Sequence, residues 1–95
     1  MNLPPSIAVV IPSIFSRFVG GQNMIALSAA TVGDAIAALV ETNPEMRSQL
    51  HDSEGRLLRY LQLFVNDDNI NDLSGLETRL NDGDELLLIA ALAGG

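Results

Sequence analysis

The chain contains no cysteine, no lysine and no tryptophan, and it has a single histidine. Without cysteine there is no disulfide, no thiolate metal site and no thiol nucleophile. Without lysine there is neither the side chain that phosphate-binding loops use nor an attachment point for lysine-linked self-conjugation. All five basic residues are arginines, namely Arg17, Arg47, Arg56, Arg59 and Arg79. Aromatics make up only 4% of a chain that is 47% apolar. The core is therefore expected to consist of Val, Ile, Leu and Ala.

Other classes are excluded by what the sequence lacks in longer stretches. No apolar run reaches the roughly 18 residues of a membrane-spanning helix. The N-terminus lacks the basic start of a secretory signal, so a cytoplasmic protein with no membrane partner is expected. A net charge of −7 argues against nucleic acid, whose phosphates are neutralised by Lys and Arg. An electropositive protein surface suits this charge better. A length of 95 residues suffices for one small core and not for two, so a single domain over residues 1–95 is expected.

The apolar, β-branched run Ile7–Ile11 predicts a strand central in its sheet, ended by Pro12. Gly20-Gly21-Gln22-Asn23 is a turn cluster, and Met24–Ser28 after it reads as a second strand, which makes a hairpin with an irregular first arm. Thr31 and Asp34 form a variant capping box. Val32, Ala35, Ile36, Leu39 and Val40 then build one apolar helical stripe, which ends before Pro44. Met46 and Leu50 suit a short second helical turn, and Asp52-Ser53-Glu54-Gly55 reads as a loop. Leu61–Val65 alternates as a third strand, Asn66-Asp67-Asp68-Asn69 turns into a short fourth strand around Ile70, and Glu85–Ala90 is the last strand. The order of strand, strand, helix, strand, short strand, strand predicts an α+β fold, with one main helix covering a mixed sheet of four to five strands and the first and last strands parallel at its centre.

Little on this scaffold can perform catalysis. His51 has no second His or Cys nearby in sequence to complete a metal site, and it reads as a surface or loop residue. The cluster Asn66, Asp67, Asp68, Asn69, Asn71 and Asp72 superficially resembles a calcium loop, but it lacks the central Gly and the distant Glu of that spacing and reads as turn chemistry. Gly20-Gly21 is not followed by Gly-Lys-Ser/Thr or by a helix, so no nucleotide cradle is expected and no cofactor is assigned to this chain. The expectation is a protein that is not itself an enzyme.

The remaining feature is the end, Ala91-Leu92-Ala93-Gly94-Gly95, which carries no charged side chain. Glycine lacks a Cβ and can thread a channel too narrow for other residues. Five extended residues reach roughly 16 Å, so residues 91–95 are expected to be a flexible tail that carries a terminal carboxylate into a partner's active site. That carboxylate, with an ordinary pKa of about 3.5, is ionised at neutral pH and can attack a nucleotide phosphate. Alternation in the strands adds a docking surface. If Leu63, Val65, Leu86 and Leu88 face the helix, then Phe64, Leu87 and Ile89 are exposed together on the other face.

The strand order, the stretch Leu80-Asn81-Asp82-Gly83-Asp84-Glu85 before the last strand and the Gly94-Gly95 end resemble the MoaD/ThiS family of ubiquitin-like sulfur carriers, which have a β-grasp fold. More narrowly, Ile11-Pro12-Ser13-Ile14, Gly20-Gly21-Gln22, Val65-Asn66-Asp67 and Ala93-Gly94-Gly95 look like the carrier that serves a thiocarboxylate-dependent cysteine synthase. The resemblance implies that an ATP-using, ubiquitin-activating-type adenylating and sulfurtransferase enzyme adenylates Gly95. Sulfur would then displace the adenylate, and the thiocarboxylate would be donated to an acceptor enzyme such as a cysteine synthase, with a metal-dependent peptidase as a further partner. The alternatives are the small subunit of molybdopterin synthase, a thiamin sulfur carrier, a ubiquitin-like protein modifier and a non-covalent binding module.

Overall fold

A computed structural model describes residues 3–90. The strands are β1 (Ser6–Val10), β2 (Met24–Ser28), β3 (Leu61–Val65), β4 (Asp68–Asn69) and β5 (Glu85–Ala90), and the helices are α1 (Val32–Thr42) and the four-residue α2 (Arg47–Leu50). The five-stranded sheet has the order β2-β1-β5-β3-β4. β1 and β5 run parallel, while β1–β2, β3–β5 and β3–β4 are antiparallel. This is the expected α+β architecture, with β5 central and hydrogen-bonded on both sides.

The apolar stripe of α1 is what covers the sheet. Val32, Ala35, Ile36, Leu39 and Val40 are all buried, and they meet Ile7, Val9, Leu63, Val65, Leu86 and Leu88 in one core. The helix starts where local chemistry satisfies its first turn: the Asp34 amide donates to Thr31 Oγ1 at 3.1 Å. It stops at Asn43, the residue before Pro44. Gly33 packs closely under Leu76, where an added Cβ would lie 3.2 Å from the Leu76 carbonyl oxygen.

Two elements differ from expectation. The irregular arm after Pro12 is a 3-10 helix over Ser13–Val19 that buries Phe15 and Val19 and ends on Gly20 at φ 69°. The left-handed conformation that Gly tolerates closes it. The short fourth strand lies at Asp68–Asn69 and not around Ile70, which instead opens a 3-10 turn through Asp72. The reason is Asn66: at φ 57° it reverses the chain within two residues, so that Val65 pairs with Asp68 and Phe64 with Asn69. Asn69 Oδ1 then accepts from the Asn71 amide at 2.9 Å and rolls the chain out of the sheet.

These packing and capping contributions should separate cleanly. Leu86 is fully buried on β5, so Leu86→Ala is expected to lower unfolding free energy by about 3 kcal/mol. Thr31→Ala, which removes only a cap, should cost about 1 kcal/mol. Urea unfolding followed by circular dichroism measures both, and equal losses would contradict the assignment of the main stabilisation to the sheet–helix core.

Candidate functional site

The last described strand, β5, is fixed by residues of both its neighbours. At its start, two sequence motifs interlock. Asn66 donates from its backbone amide to the Glu85 carbonyl at 2.8 Å and from Nδ2 to Asp84 Oδ1 at 3.1 Å, and its Oδ1 accepts from the Glu85 amide at 3.1 Å. Asp84 Oδ2 also accepts from the Asn81 amide at 2.8 Å. On the other side, Asp82 Oδ1 accepts from the Ser6 amide at 2.8 Å, and the Gly83 amide donates to the Ser6 carbonyl at 2.9 Å. The acidic Asn81–Glu85 turn thus ties β5 to β1 and β3 at once. Of the cluster that superficially resembled a calcium loop, the Asn66 side chain is spent on Asp84 and Glu85 and the Asn69 side chain on the Asn71 amide.

From there β5 runs through Leu87 and Ile89 to Ala90. The tail residues Ala93, Gly94 and Gly95, including the carboxylate proposed for modification, lie outside the described residues.

Leu63, Val65, Leu86 and Leu88 are buried under the helix, which leaves Phe64, Leu87 and Ile89 on the open face as alternation requires. They are not equally exposed. Ile89 is 37% exposed, whereas Phe64 and Leu87 are half-buried, because they stand opposite each other across β3 and β5 and cover one another. The register also adds two residues that sequence reasoning missed. Val10 lies beside Leu87, and Met24 beside Val10, so that Met24, Val10, Leu87 and Phe64 form one apolar row across four strands. Met24 is 52% exposed. In β1 every residue after Ser6 is apolar, so no period marks which ones face outward.

Behind the helix there is a groove of about 620 Å³ between α1 and the Arg47–Leu57 segment, with Ile36, Val40, Arg47, His51, Leu57 and Leu76 in its lining. His51 is more enclosed than a surface residue: it caps α2 and is half-buried, and its Nδ1 is buried with no partner among the described residues. Next to it, the backbone amide of Arg56 holds the Asp52 carboxyl below its usual range, with help from the Glu54 amide and the Arg56 side chain. A lowered carboxyl pKa favours the folded loop above the ordinary carboxylate range, and this contribution disappears as pH falls through the lowered value. Among the described residues, no group of acids and histidines has metal-site geometry, and no helix is long and apolar enough to cross a membrane.

Comparison with known proteins agrees with this geometry. The model of the ThiS family matches residues 9–95. The sulfur carrier protein CysO of Mycobacterium tuberculosis is 34% identical over 92 residues, covering 95% of this chain and 99% of that protein. A crystal structure of M. tuberculosis CysO superposes with a TM-score of 0.81 at 32% identity, covering 90% of this chain and 99% of that one. A crystal structure of an Amycolatopsis orientalis BexX/CysO complex contains a chain that matches at a TM-score of 0.83 and 31% identity, with 94% and 99% covered. With the fold, the interlocked turns before β5 and the family match running through residue 95, the chain belongs to the ThiS family of ubiquitin-like β-grasp proteins.

Proposed function

We propose that this protein is a sulfur carrier whose Gly95 carboxylate is adenylated by an activating enzyme and then converted to a thiocarboxylate. The observation that carries the reading is a Gly94-Gly95 end that follows in sequence, after three intervening residues, a strand fixed on both sides, in a ThiS-family chain without Cys or Lys. The carboxylate attacks the α-phosphorus of ATP bound by the partner, and pyrophosphate leaves. A sulfur nucleophile then attacks the acyl carbon, the bond from carbon to the bridging oxygen breaks, and AMP departs with that oxygen. The chain contributes the nucleophilic carboxylate and its presentation, and the partner contributes the ATP site.

Sulfur delivery to cysteine biosynthesis is the acceptor route we favour, supported by the 34% identity over nearly the full length of a carrier named CysO. There the thiocarboxylate sulfur bonds to the β-carbon of an activated serine as its leaving group departs. A metal-dependent peptidase hydrolyses the resulting link and restores the carboxylate at Gly95. The partner enzymes are expected to dock on the open face at Phe64, Leu87 and Ile89, extended by Val10 and Met24, with the tail Ala93-Gly94-Gly95 entering their active sites.

Intact mass spectrometry after incubation with a ThiS-activating enzyme, ATP and a sulfur source tests the chemistry. The expected product gains the mass difference of one sulfur replacing one oxygen, and deletion of Gly95 abolishes that gain. An unchanged mass with an enzyme shown to be active on another carrier would overturn the proposal.

The docking face is tested separately. Ile89→Asp places a charge on a partly exposed position of that face, and it is expected to reduce kcat/KM for adenylation tenfold or more in a variant that still unfolds cooperatively well above the assay temperature. A wild-type kcat/KM in the folded variant would move the interface elsewhere.

A further inference from the structure

The two edges of the sheet are protected very differently. At one edge, β4 is two residues long and carries Asp68, a short and charged edge of the kind that resists pairing with another chain. At the other edge, β2 is five residues long, Met24-Ile25-Ala26-Leu27-Ser28. It has no charge, no proline and no glycine, and its register with β1 is unbroken. The surrounding chain does not compensate. From Phe18 to Gly33 no residue is charged, and every acid of this −7 chain lies at Asp34 or beyond.

The hydrogen bonds show which backbone groups are left over. The Ile11 amide donates to the Asn23 carbonyl at 2.9 Å and the Ala29 amide to the Pro5 carbonyl at 3.0 Å. In an antiparallel ladder bonded and unbonded pairs alternate. Asn23, Ile25, Leu27 and Ala29 therefore face β1, and Met24, Ala26 and Ser28 direct their N–H and C=O groups to the free edge. Among the described residues these groups have no backbone or side-chain partner. Ala26 and Ser28 are exposed, and Met24 is 52% exposed.

We propose that β2 is a self-pairing edge, at which a second copy of this chain adds its own β2 antiparallel across a two-fold axis at Ala26. With that register Ala26 faces Ala26 of the other copy in a hydrogen-bonded pair, and Met24 faces Ser28 in two more. All the outward groups are satisfied. Ile25 and Leu27 come opposite each other on the helix side and extend the apolar layer. The absence of charge along this edge lets two strongly acidic molecules approach here with the least repulsion, which favours a copy of the same chain as the occupant. A contact of five residues per copy falls well short of the roughly 1,200 Å² of a standard interface, so the association is weak and depends on concentration.

Sedimentation velocity and NMR diffusion of the full chain, from micromolar to millimolar concentration, test this. The wild type is expected to move toward twice the monomer mass. Ala26→Pro removes the central outward N–H without touching the ladder to β1, a position where an edge strand accepts proline, and it should raise the dimer dissociation constant by an order of magnitude or more. Ala26→Lys and Ala26→Glu each set like charges opposite one another and should be monomeric alone, while an equimolar mixture of the two should form mixed dimers. A wild type that stays monomeric at millimolar concentration overturns the proposal, as does a folded Ala26→Pro that dimerises like wild type. If Ala26→Pro fails to fold, the charge pair decides: self-association of either variant alone, or no association in the mixture, refutes pairing at β2.

Discussion

The fold depends on β5 being held from both sides. Its parallel ladder to β1 and antiparallel ladder to β3 place it at the centre of the sheet, and the fully buried Leu86 and nearly buried Leu88 anchor it beneath α1. Its start is fixed as firmly, since Asn66, Asp82 and Asp84 join the Asn81–Glu85 turn to β1 and β3 through side-chain hydrogen bonds. A strand with its backbone bonded on two edges and one face in the core cannot slide by a residue without moving every buried side chain to the wrong face. That rigidity gives the residues after Ala90 a fixed point of departure.

The division between presentation and reaction follows from the same arrangement. The side-chain hydrogen bonds among the described residues include the helix cap at Thr31 and the turns at Asn69 and Asn81–Glu85. The groove behind α1 contains His51, whose Nδ1 has no partner among the described residues. Under the proposed function the chemistry comes from the terminal carboxylate and from enzymes that bind it, and the apolar row that crosses β5 on the open face would be their docking surface. The charge of −7 suits basic partner surfaces, because complementary charge speeds encounter even where it adds little affinity.

Much of this was legible in the sequence wherever the signal is local. Thr31, Asp34 and Pro44 mark both ends of α1, and the leucine alternation in Glu85–Ala90 assigned the buried and open faces of β5 correctly. The family was legible through its resemblance to known carriers, carried by the strand order, Leu80–Glu85 and the Gly94-Gly95 end, and the ThiS match bears it out. Features that depend on partners elsewhere in the fold were less visible. The Ser13–Val19 3-10 helix buries only Phe15 and Val19, too few to show a period. The position of β4 depended on Asn66 adopting a left-handed conformation, which composition allows but does not dictate. Met24 and Val10 became part of the open-face row only through register, and the half-burial of Phe64 and Leu87 reflects a cross-strand neighbour that alternation within one strand does not reveal.

The central claim is that the carboxylate of Gly95 itself bonds to phosphorus and then gives up one oxygen to sulfur. Enriching that carboxylate with oxygen-18 and incubating the protein with its activating enzyme, ATP and a sulfur source follows this oxygen directly. The account predicts one oxygen-18 atom in the AMP released for each thiocarboxylate formed from fully enriched protein. Unlabelled AMP accompanying thiocarboxylate formation would contradict it.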